Sequence, residues 1–468
     1  KNDSVIFVGE DNLHYEKFAD GSVKCIEDEV PFGLPDGWAW VRLGNLSAAI
    51  QYGLSNSAEP QGTHRLLRIT DIQDGKVDWN AVPFTTVNDP EAYLLKTGDI
   101  VFARTGATVG KSFLITETPY PSVYASYLIR IRLLGSLSPE YIYQFFDSAC
   151  YWSQITDKSV GVGQPNCNGT SLKELFIPLP PISEQLRIVP TAQALLAYVA
   201  KIDAEKKSLL SIIMATKSKI LDLAIRGQLI PQDPNDEPAS VLLERIRAEK
   251  EELIKQGKIK RDKKESVIFR GEDNSYYRRS PDGLEDITDD LPYDIPDSWE
   301  WTSISELFSI NPRNKIAEDM VVSFIPMPLI DDGYSGCHRS ETKEWKSIKT
   351  GFSHFQNGDI GIAKITPCFE NRKSVIFRDL CNGYGAGTTE LHILRPQYRD
   401  CVLPEYALAL LKSERFIQSG VQAFTGAVGQ QRIGKDYVMN TYFPLPPYAE
   451  QRRIIDRINK LFTLIATI

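Results

Sequence analysis

Two polar stretches in the N-terminal half of this chain carry side chains suited to reading the edges of nucleic-acid bases. Arg104, Thr105 and Lys111 stand close together, and Gln164, Asn166 and Asn168 follow further along. The C-terminal half has a counterpart set in Lys364, Thr366, Arg372 and Lys373, then Gln430, Gln431 and Arg432. Arg or Lys matches the acceptor pair of guanine, and Asn or Gln the donor and acceptor of adenine. Hydroxyls and amines serve phosphates as readily as bases. Glycines beside these residues would let the backbone approach a ligand closely. Each side chain also has a plainer reading, as a solvated loop group or a local turn bond, and the glycines as turn formers.

A search for catalytic constellations yields little. Methylation of an adenine amino group calls for an Asn/Asp-Pro-Pro-aromatic motif and a Gly-rich cofactor turn, whereas Asn311-Pro312-Arg313-Asn314 lacks the second proline and the aromatic. There is no GxxxxGK[ST] phosphate loop, so the chain is not expected to be an ATP-driven motor. Asp331 or Asp332 with Glu344 and Lys346 could mimic a nuclease centre, in which carboxylates hold a divalent ion that activates water. Nothing in the N-terminal half repeats that trio. Seven scattered cysteines form no CxxC pair, which suits a reducing cytoplasm, and the five histidines lack the i, i+4 spacing of a helical metal site. No catalytic residue and no metal ligand is therefore expected. A net charge of -8 and a pI near 5.4 have the wrong sign for gripping nucleic acid by bulk electrostatics. Local basic strips at 104–111 and 364–373 could still contact phosphates while a partner supplies most of the clamp.

What positions these residues is a duplicated framework. FIPLPPISEQL at 176–186 returns as FPLPPYAEQR at 443–452, and in each copy the glycine of a Gly-Gln pair (Gly163-Gln164, Gly429-Gln430) precedes the first proline by fifteen residues. Other blocks keep the same order: SVIFVGEDN at 4–12 and SVIFRGEDN at 266–274, Pro35 to Trp40 and Pro296 to Trp301, Gly98-Asp99-Ile100 and Gly358-Asp359-Ile360, Pro139-Glu140-Tyr141 and Pro404-Glu405-Tyr406. The offset between copies drifts only from 260 to 266 residues, too long for a solenoid repeat of roughly 20 to 50. Each unit must be a domain plus a connecting segment. Between the blocks the copies diverge almost completely, as at 66–80 against 324–338, so the framework is shared and the filling is not.

A chain of 468 residues implies two to four domains. The expected fold class is α/β (α+β): two similar domains with small mixed sheets, separated by long antiparallel coiled-coil helices. Expected boundaries are a linker at 1–37, the first domain at 38–181, a helical spacer at 182–264, an equivalent linker at 265–298, the second domain at 299–447 and the start of a second long helix at 448–468. Strands are expected at 66–69, 99–103, 112–116 and 127–134, and again at 321–325, 359–365, 374–377 and 390–394. Helices are expected at 139–152 and 404–419. PLPP reads as a stiff, non-helical hinge, and a helix with Ser183 as N-cap should run to about Arg226 and close at Gly227, with a kink or a later start at Pro190. Ala192, Leu195, Val199, Ile202, Leu209, Ile213, Ile220 and Leu223 form a heptad seam, and Ile458, Leu461, Ile465 and Ile468 take the corresponding positions in the second copy, so the two helices are expected to pair. The basic run at 258–264 reads as a solvated tail. No apolar run approaches a membrane helix. The first residue is Lys1 and the chain stops inside an apolar-periodic run, so both ends are expected to lack something.

The two PLPP-x-x-E-Q-x-R-I junctions, each after a Gly-Gln loop and before a long helix, with GQLIPQDPNDEPASVLLERI between the halves, resemble the specificity subunit of a type I restriction-modification enzyme. The resemblance covers essentially the whole chain and implies two target-recognition domains, each reading one half of a split, asymmetric DNA site. It implies helices that act as a spacer and dock two methyltransferase subunits, with motor-nuclease subunits in the full complex. S-adenosylmethionine, ATP and Mg would belong to those partners and no cofactor to this chain. By the same resemblance, a helical segment equivalent to roughly Asp203 to Arg261 would follow Ile468 or precede Lys1. Double-stranded DNA and these subunits are the expected partners, with no membrane.

Overall fold

The computed structural model describes residues 4–73, 75–158, 166–257, 266–427 and 429–467. Two compact units emerge, Lys1–Ala204 and Glu205–Ile468. The Gly163-Gln164 pair, the run at 258–264 and Ile468 lie outside the described residues.

The first unit opens differently from the expected linker. Ser4–Val8, His14–Phe18 and Val23–Cys25 form a three-stranded antiparallel meander, whose first turn places Asn12 at φ 62°, a conformation that Asn tolerates well. Ile26 below it joins Trp40 and Phe176 in a small apolar cluster. The main sheet has four strands: β1 (Ser47–Tyr52), β2 (Ile100–Ala103), β3 (Ser112–Leu114) and β4 (Leu128–Leu133), in the order β3-β2-β4-β1 and antiparallel throughout. A second sheet joins Ser122–Tyr124 in parallel to His64–Leu67. Helix α1 (Pro139–Phe145) packs beside β3. The expected helix at 139–152 is two, because Ser148 caps a new one: its hydroxyl accepts from the Tyr151 N–H at 3.2 Å, and the chain restarts as Ala149–Lys158. The core collects Phe102, Ile129, Ile142 and Tyr151 between sheet and helices.

Each junction closes its domain as a strand. Phe176–Leu179 pairs antiparallel with Ala39–Arg42, Pro178 facing Trp40. Pro is tolerated here because a two-stranded ribbon leaves one side of each strand without a ladder partner. Helix α2 then runs unbroken from Ile182 to Ile225 with Pro190 inside it. The expected later start does not occur, and Ile188 and Val189 pack on the core of the first unit, next to the turn that Pro190 deprives of one hydrogen bond. Gly227, at φ 68°, ends the helix with Gly227 N–H bonded to the Ala224 carbonyl and Gln228 N–H to that of Leu223, a C-terminal cap that needs the left-handed conformation.

The second unit repeats the plan. A meander of Val267–Arg270, Tyr276–Ser280 and Gly283–Asp286 stands where a linker was expected. Its main sheet has β5 (Phe308–Ile310), β6 (Ile360–Ala363), β7 (Ser374–Ile376) and β8 (Leu391–Pro396), ordered β5-β8-β6-β7, the same neighbours as in the first unit. Val321–Ile325 pairs in parallel with Tyr384–Gly387. The expected helix at 404–419 again splits, into α4 (Pro404–Leu411) and Glu414–Gln422, because Ser413 caps the latter through Phe416 N–H. Helix α3 (Ala239–Lys255) precedes this domain, and α5 (Tyr448–Ala466) follows the strand Tyr442–Leu445. One core joins Ile220, Leu221, Ala224 and Ile225 of α2, Leu242 and Ile246 of α3, Trp299 and Tyr406 of the domain, and Ile454 and Ile458 of α5.

Candidate nucleic-acid interface

The repeated motifs turn out to be a set of internal bonds made twice. Glu184 accepts from the Trp38 indole at 3.1 Å, and Glu450 from that of Trp299 at 2.9 Å. Gln185 accepts from Ser138 N–H and donates to the Pro180 carbonyl; Gln451 accepts from Leu403 N–H and donates to the carbonyls of Cys401 and Pro446. The tyrosines of the two Pro-Glu-Tyr blocks donate to the prolines that open PLPP, Tyr141 to Pro178 and Tyr406 to Pro444. In the Gly-Asp-Ile blocks Asp99 receives both Nε and Nη2 of Arg132, at 2.7 and 2.6 Å, and Asp359 those of Arg395, at 2.9 and 2.7 Å. Burial pushes the Asp359 carboxyl up despite Arg395, and the Glu450 carboxyl likewise. All of this positions the elements.

The unlike residues gather at one edge of each four-stranded sheet. In the first unit β1 ends at Tyr52, β2 at Ala103, and β3 and β4 begin at Ser112 and Leu128; register places Ala103 opposite Leu128, Phe102 opposite Ser112 and Tyr52 opposite Ile129. Arg104, Lys111, Tyr52 and Tyr127 therefore share that edge. The polar loop is pinned to it by Thr105 bridging Asn166 and by Cys167 N–H bonded to the Arg104 carbonyl. The Arg104 guanidinium lies 5.0 Å over the Tyr52 ring, its Nε buried without a hydrogen-bond partner among the described residues. Stacking of this kind favours a desolvated cation. Lys111 and Asn166 are exposed. Asn168 serves another purpose, capping the short helix Gly169–Lys173 through Ser171 N–H at 2.9 Å.

In the second unit Ala363 faces Leu391 and Ile362 faces Ser374, so Lys364, Lys373 and Glu390 occupy the matching edge. The polar loop is pinned as before: Ile365 bridges Arg432, Ile433 N–H bonds to the Lys364 carbonyl and Thr366 N–H to that of Gln431. Among the described residues Lys364 makes no side-chain hydrogen bond or ion pair and the buried Thr366 hydroxyl has no partner, while Gln430 is exposed and Gln431 half-buried. Arg372 and Lys373 are turned inward. Arg372 donates to the Lys412 carbonyl and to Glu414 and stacks on Tyr334, while the Lys373 ammonium donates to the Ile330 carbonyl at 2.7 Å. A basic residue in a loop satisfies carbonyls as readily as phosphates, and sequence gives no sign of which. Tyr52, Tyr127 and Glu390 were missed: each flanks a strand end, and aromatic or acidic neighbours of a basic loop were the available signal.

The helix seam is covered at one end. Ile458 is buried and Leu461 and Ile465 pack against the second unit's core beside Ile220 and Leu221, with the Lys217 ammonium 5.3 Å over the Phe462 ring. Ile213 and Leu223 are half-buried, as is Ala192 at the far end. Leu195, Val199, Ile202 and Leu209 are exposed. The suspected nuclease trio does not assemble: among the described residues no group of His, Cys, Asp and Glu could hold a metal, and Lys346 pairs with Glu344 at 2.5 Å.

Residues 35–212, nearly all of them in the first unit, match the family model of the type I restriction modification DNA specificity domain. Over 254 residues the chain is 47% identical to the EcoAI specificity subunit of Escherichia coli, a match spanning 54% of this chain and 40% of that one. With the EcoEI specificity subunit of the same species it shares 44% identity over 253 residues, 54% of this chain and 39% of the relative. The chain is thus related to the type I specificity subunits, and its matches span about two fifths of the length of these relatives. A solved chain from a study of complex assembly and conformational transition of the type I R-M system superposes with a TM-score of 0.56 at 18% identity, over 93% of each chain, which establishes a shared fold.

Proposed function

We propose that this chain is the non-catalytic DNA-recognition subunit of a type I restriction-modification complex, each domain reading one half of a split, asymmetric site. The observation that carries this is the contrast within the duplication. Two frames held by the same bonds present unlike residues at the same sheet edge, Arg104 on Tyr52 in one and Lys364 with Arg432 in the other. The domain limits proposed are 38–181 and 299–447. Arg104, Thr105, Lys111, Gln164 and Asn166 would serve the first half-site, and Lys364, Thr366, Gln430, Gln431 and Arg432 the second.

Helices α2 and α5 would set the spacing. Leu195, Leu196, Tyr198, Val199 and Ile202 are exposed over more than one side of α2, and a helix apolar on several sides is one made to be covered, here by methyltransferase subunits and by a paired helix. S-adenosylmethionine, ATP and Mg would reside in the partners. Among the described residues no helix is long and apolar enough to cross a membrane, and a cytoplasmic location goes with the DNA target. The test is modified-base sequencing of host DNA with the gene intact and deleted. Loss of one split N6-methyladenine motif is expected, and an unchanged methylome would refute the reading.

A further inference from the structure

Among the edge residues of the second unit, Arg432 is held in an unusual way. Its Nε donates to Glu390 Oε2 at 2.8 Å, its Nη2 to Glu390 Oε1 at 2.9 Å and its Nη1 to the Gln430 carbonyl at 2.9 Å. The backbone is fixed as well, through paired bonds with Thr425 and the bridge to Ile365. A guanidinium has five N–H donors. One on each terminal nitrogen of Arg432 has no partner among the described residues, and the side chain keeps 40% of its surface exposed.

The Glu390–Arg432 pair belongs to the filling of the domain and not to its frame. A frame pair recurs in the other unit, as Asp359–Arg395 does in Asp99–Arg132. Leu391 and Leu128 take equivalent places opposite Ala363 and Ala103, so the position of Glu390 is held by Tyr127 in the first unit. Ile433 and Cys167 make the same bond to residues 364 and 104, so Arg432 answers to Asn166. The pair is thus among the features that differ between the two sheet edges.

Resting on the reading of this unit as a half-site reader, we infer that Glu390 is a positioning residue that fixes Arg432 to recognise one guanine through its O6 and N7. The pair of terminal nitrogens is the edge of Arg that matches those two acceptors. Glu390 occupies the other edge, so the guanidinium plane is set before DNA arrives. The Arg432 hydrogen bond holds the Glu390 carboxyl below the usual carboxylate range, so the brace persists through the physiological range.

The test uses the gene in its host, with Arg432→Lys and Glu390→Gln alleles and modified-base sequencing as readout. Arg432→Lys keeps the charge and loses the fork; Glu390→Gln keeps the shape and loses the charged brace. Both are expected to relax a guanine requirement at one position of one half-site, the preference over adenine falling about fivefold or more, with the other half-site untouched. An unchanged motif in both alleles overturns the inference and leaves the recognition role standing. Uniform loss of methylation with the chain at normal abundance also overturns it, because a phosphate contact or a purely structural pair would act on all sites alike. If no split motif depends on the intact gene, the proposed function itself falls and this inference with it.

Discussion

Replacing Gln451 by alanine should be among the most damaging single changes in the second unit. The side chain is fully buried and serves three backbone groups: it accepts from Leu403 N–H at 2.8 Å and donates to the Cys401 and Pro446 carbonyls, each at 3.2 Å. Each buried group left unpaired costs about 1–3 kcal/mol, so truncation should cost about 3–6 kcal/mol after some relaxation. That is a large part of the ~5–15 kcal/mol a domain possesses. Gln185, its counterpart, serves two groups, Ser138 N–H at 3.1 Å and the Pro180 carbonyl at 2.9 Å, and Gln185→Ala should cost about 2–4 kcal/mol by the same reasoning. Urea unfolding followed by tryptophan emission reads both, since Trp38 and Trp40 lie at the first junction and Trp299 and Trp301 at the second. Gln451→Glu adds a check. Its carboxylate would oppose two carbonyls, so it should destabilise at neutral pH and recover partly as acid restores a donor. A Gln451→Ala loss below about 1 kcal/mol, or a larger loss at Gln185, would refute the assignment of these bonds as the ties that hold domain to helix.

Lys412 offers a pH test. It is buried, its ammonium donates to the Gly333 and Arg372 carbonyls, and burial, then Arg372, pulls it from 10.5 down to about 7. Unfolding therefore takes up a proton between about pH 7 and 10.5, so stability should rise with pH across that window, by up to about 1.4 kcal/mol per pH unit. The cost of the buried cation is fully present below it. Lys412→Met should lack this rise, and parallel melting curves for the two proteins from pH 7 to 10 would contradict the argument. At the first sheet edge, Arg104→Ala should weaken DNA binding at the first half-site and reduce the slope of log affinity against log salt by about one. An unchanged slope would place Arg104 away from the phosphates.

Much of the frame was legible because the chain states it twice. The strands at 100–103 and 360–363 follow Gly98 and Gly358, whose φ of 90° and 89° only glycine adopts freely, and the end of α2 was readable in Gly227. The meanders at 4–25 and 267–286 were missed, since SVIFV lacks the alternation of a half-buried strand and gains its shape from the hairpin turn at Asn12. The helix breaks at Ser148 and Ser413 were missed because apolar periodicity continues through a serine that caps. What no local pattern could give is partnership at a distance: Trp38 with Glu184 is 146 residues apart, and Arg432 with Glu390 is 42. The seam residues of α2 were readable as apolar, but which of them a neighbour covers depends on where α5 lies. In the loops at the sheet edge of the second unit, Arg372 and Arg432 look alike in sequence; one is turned in against Lys412, Glu414 and Tyr334, and the other keeps 40% of its side chain exposed.

The pairing of Ala39–Arg42 with Phe176–Leu179, and of Glu300–Ser303 with Tyr442–Leu445, brings the two ends of each domain side by side. The offset between copies is 261 residues at Trp40 and Trp301 but 266 at Pro178 and Pro444, so five extra residues are absorbed inside the second domain. Both ribbons nevertheless close in the same register, with the proline opposite the tryptophan. A domain whose two ends are zipped together behaves like a loop tied at its neck. Its length and surface can be rewritten without moving the helix that hangs from the knot.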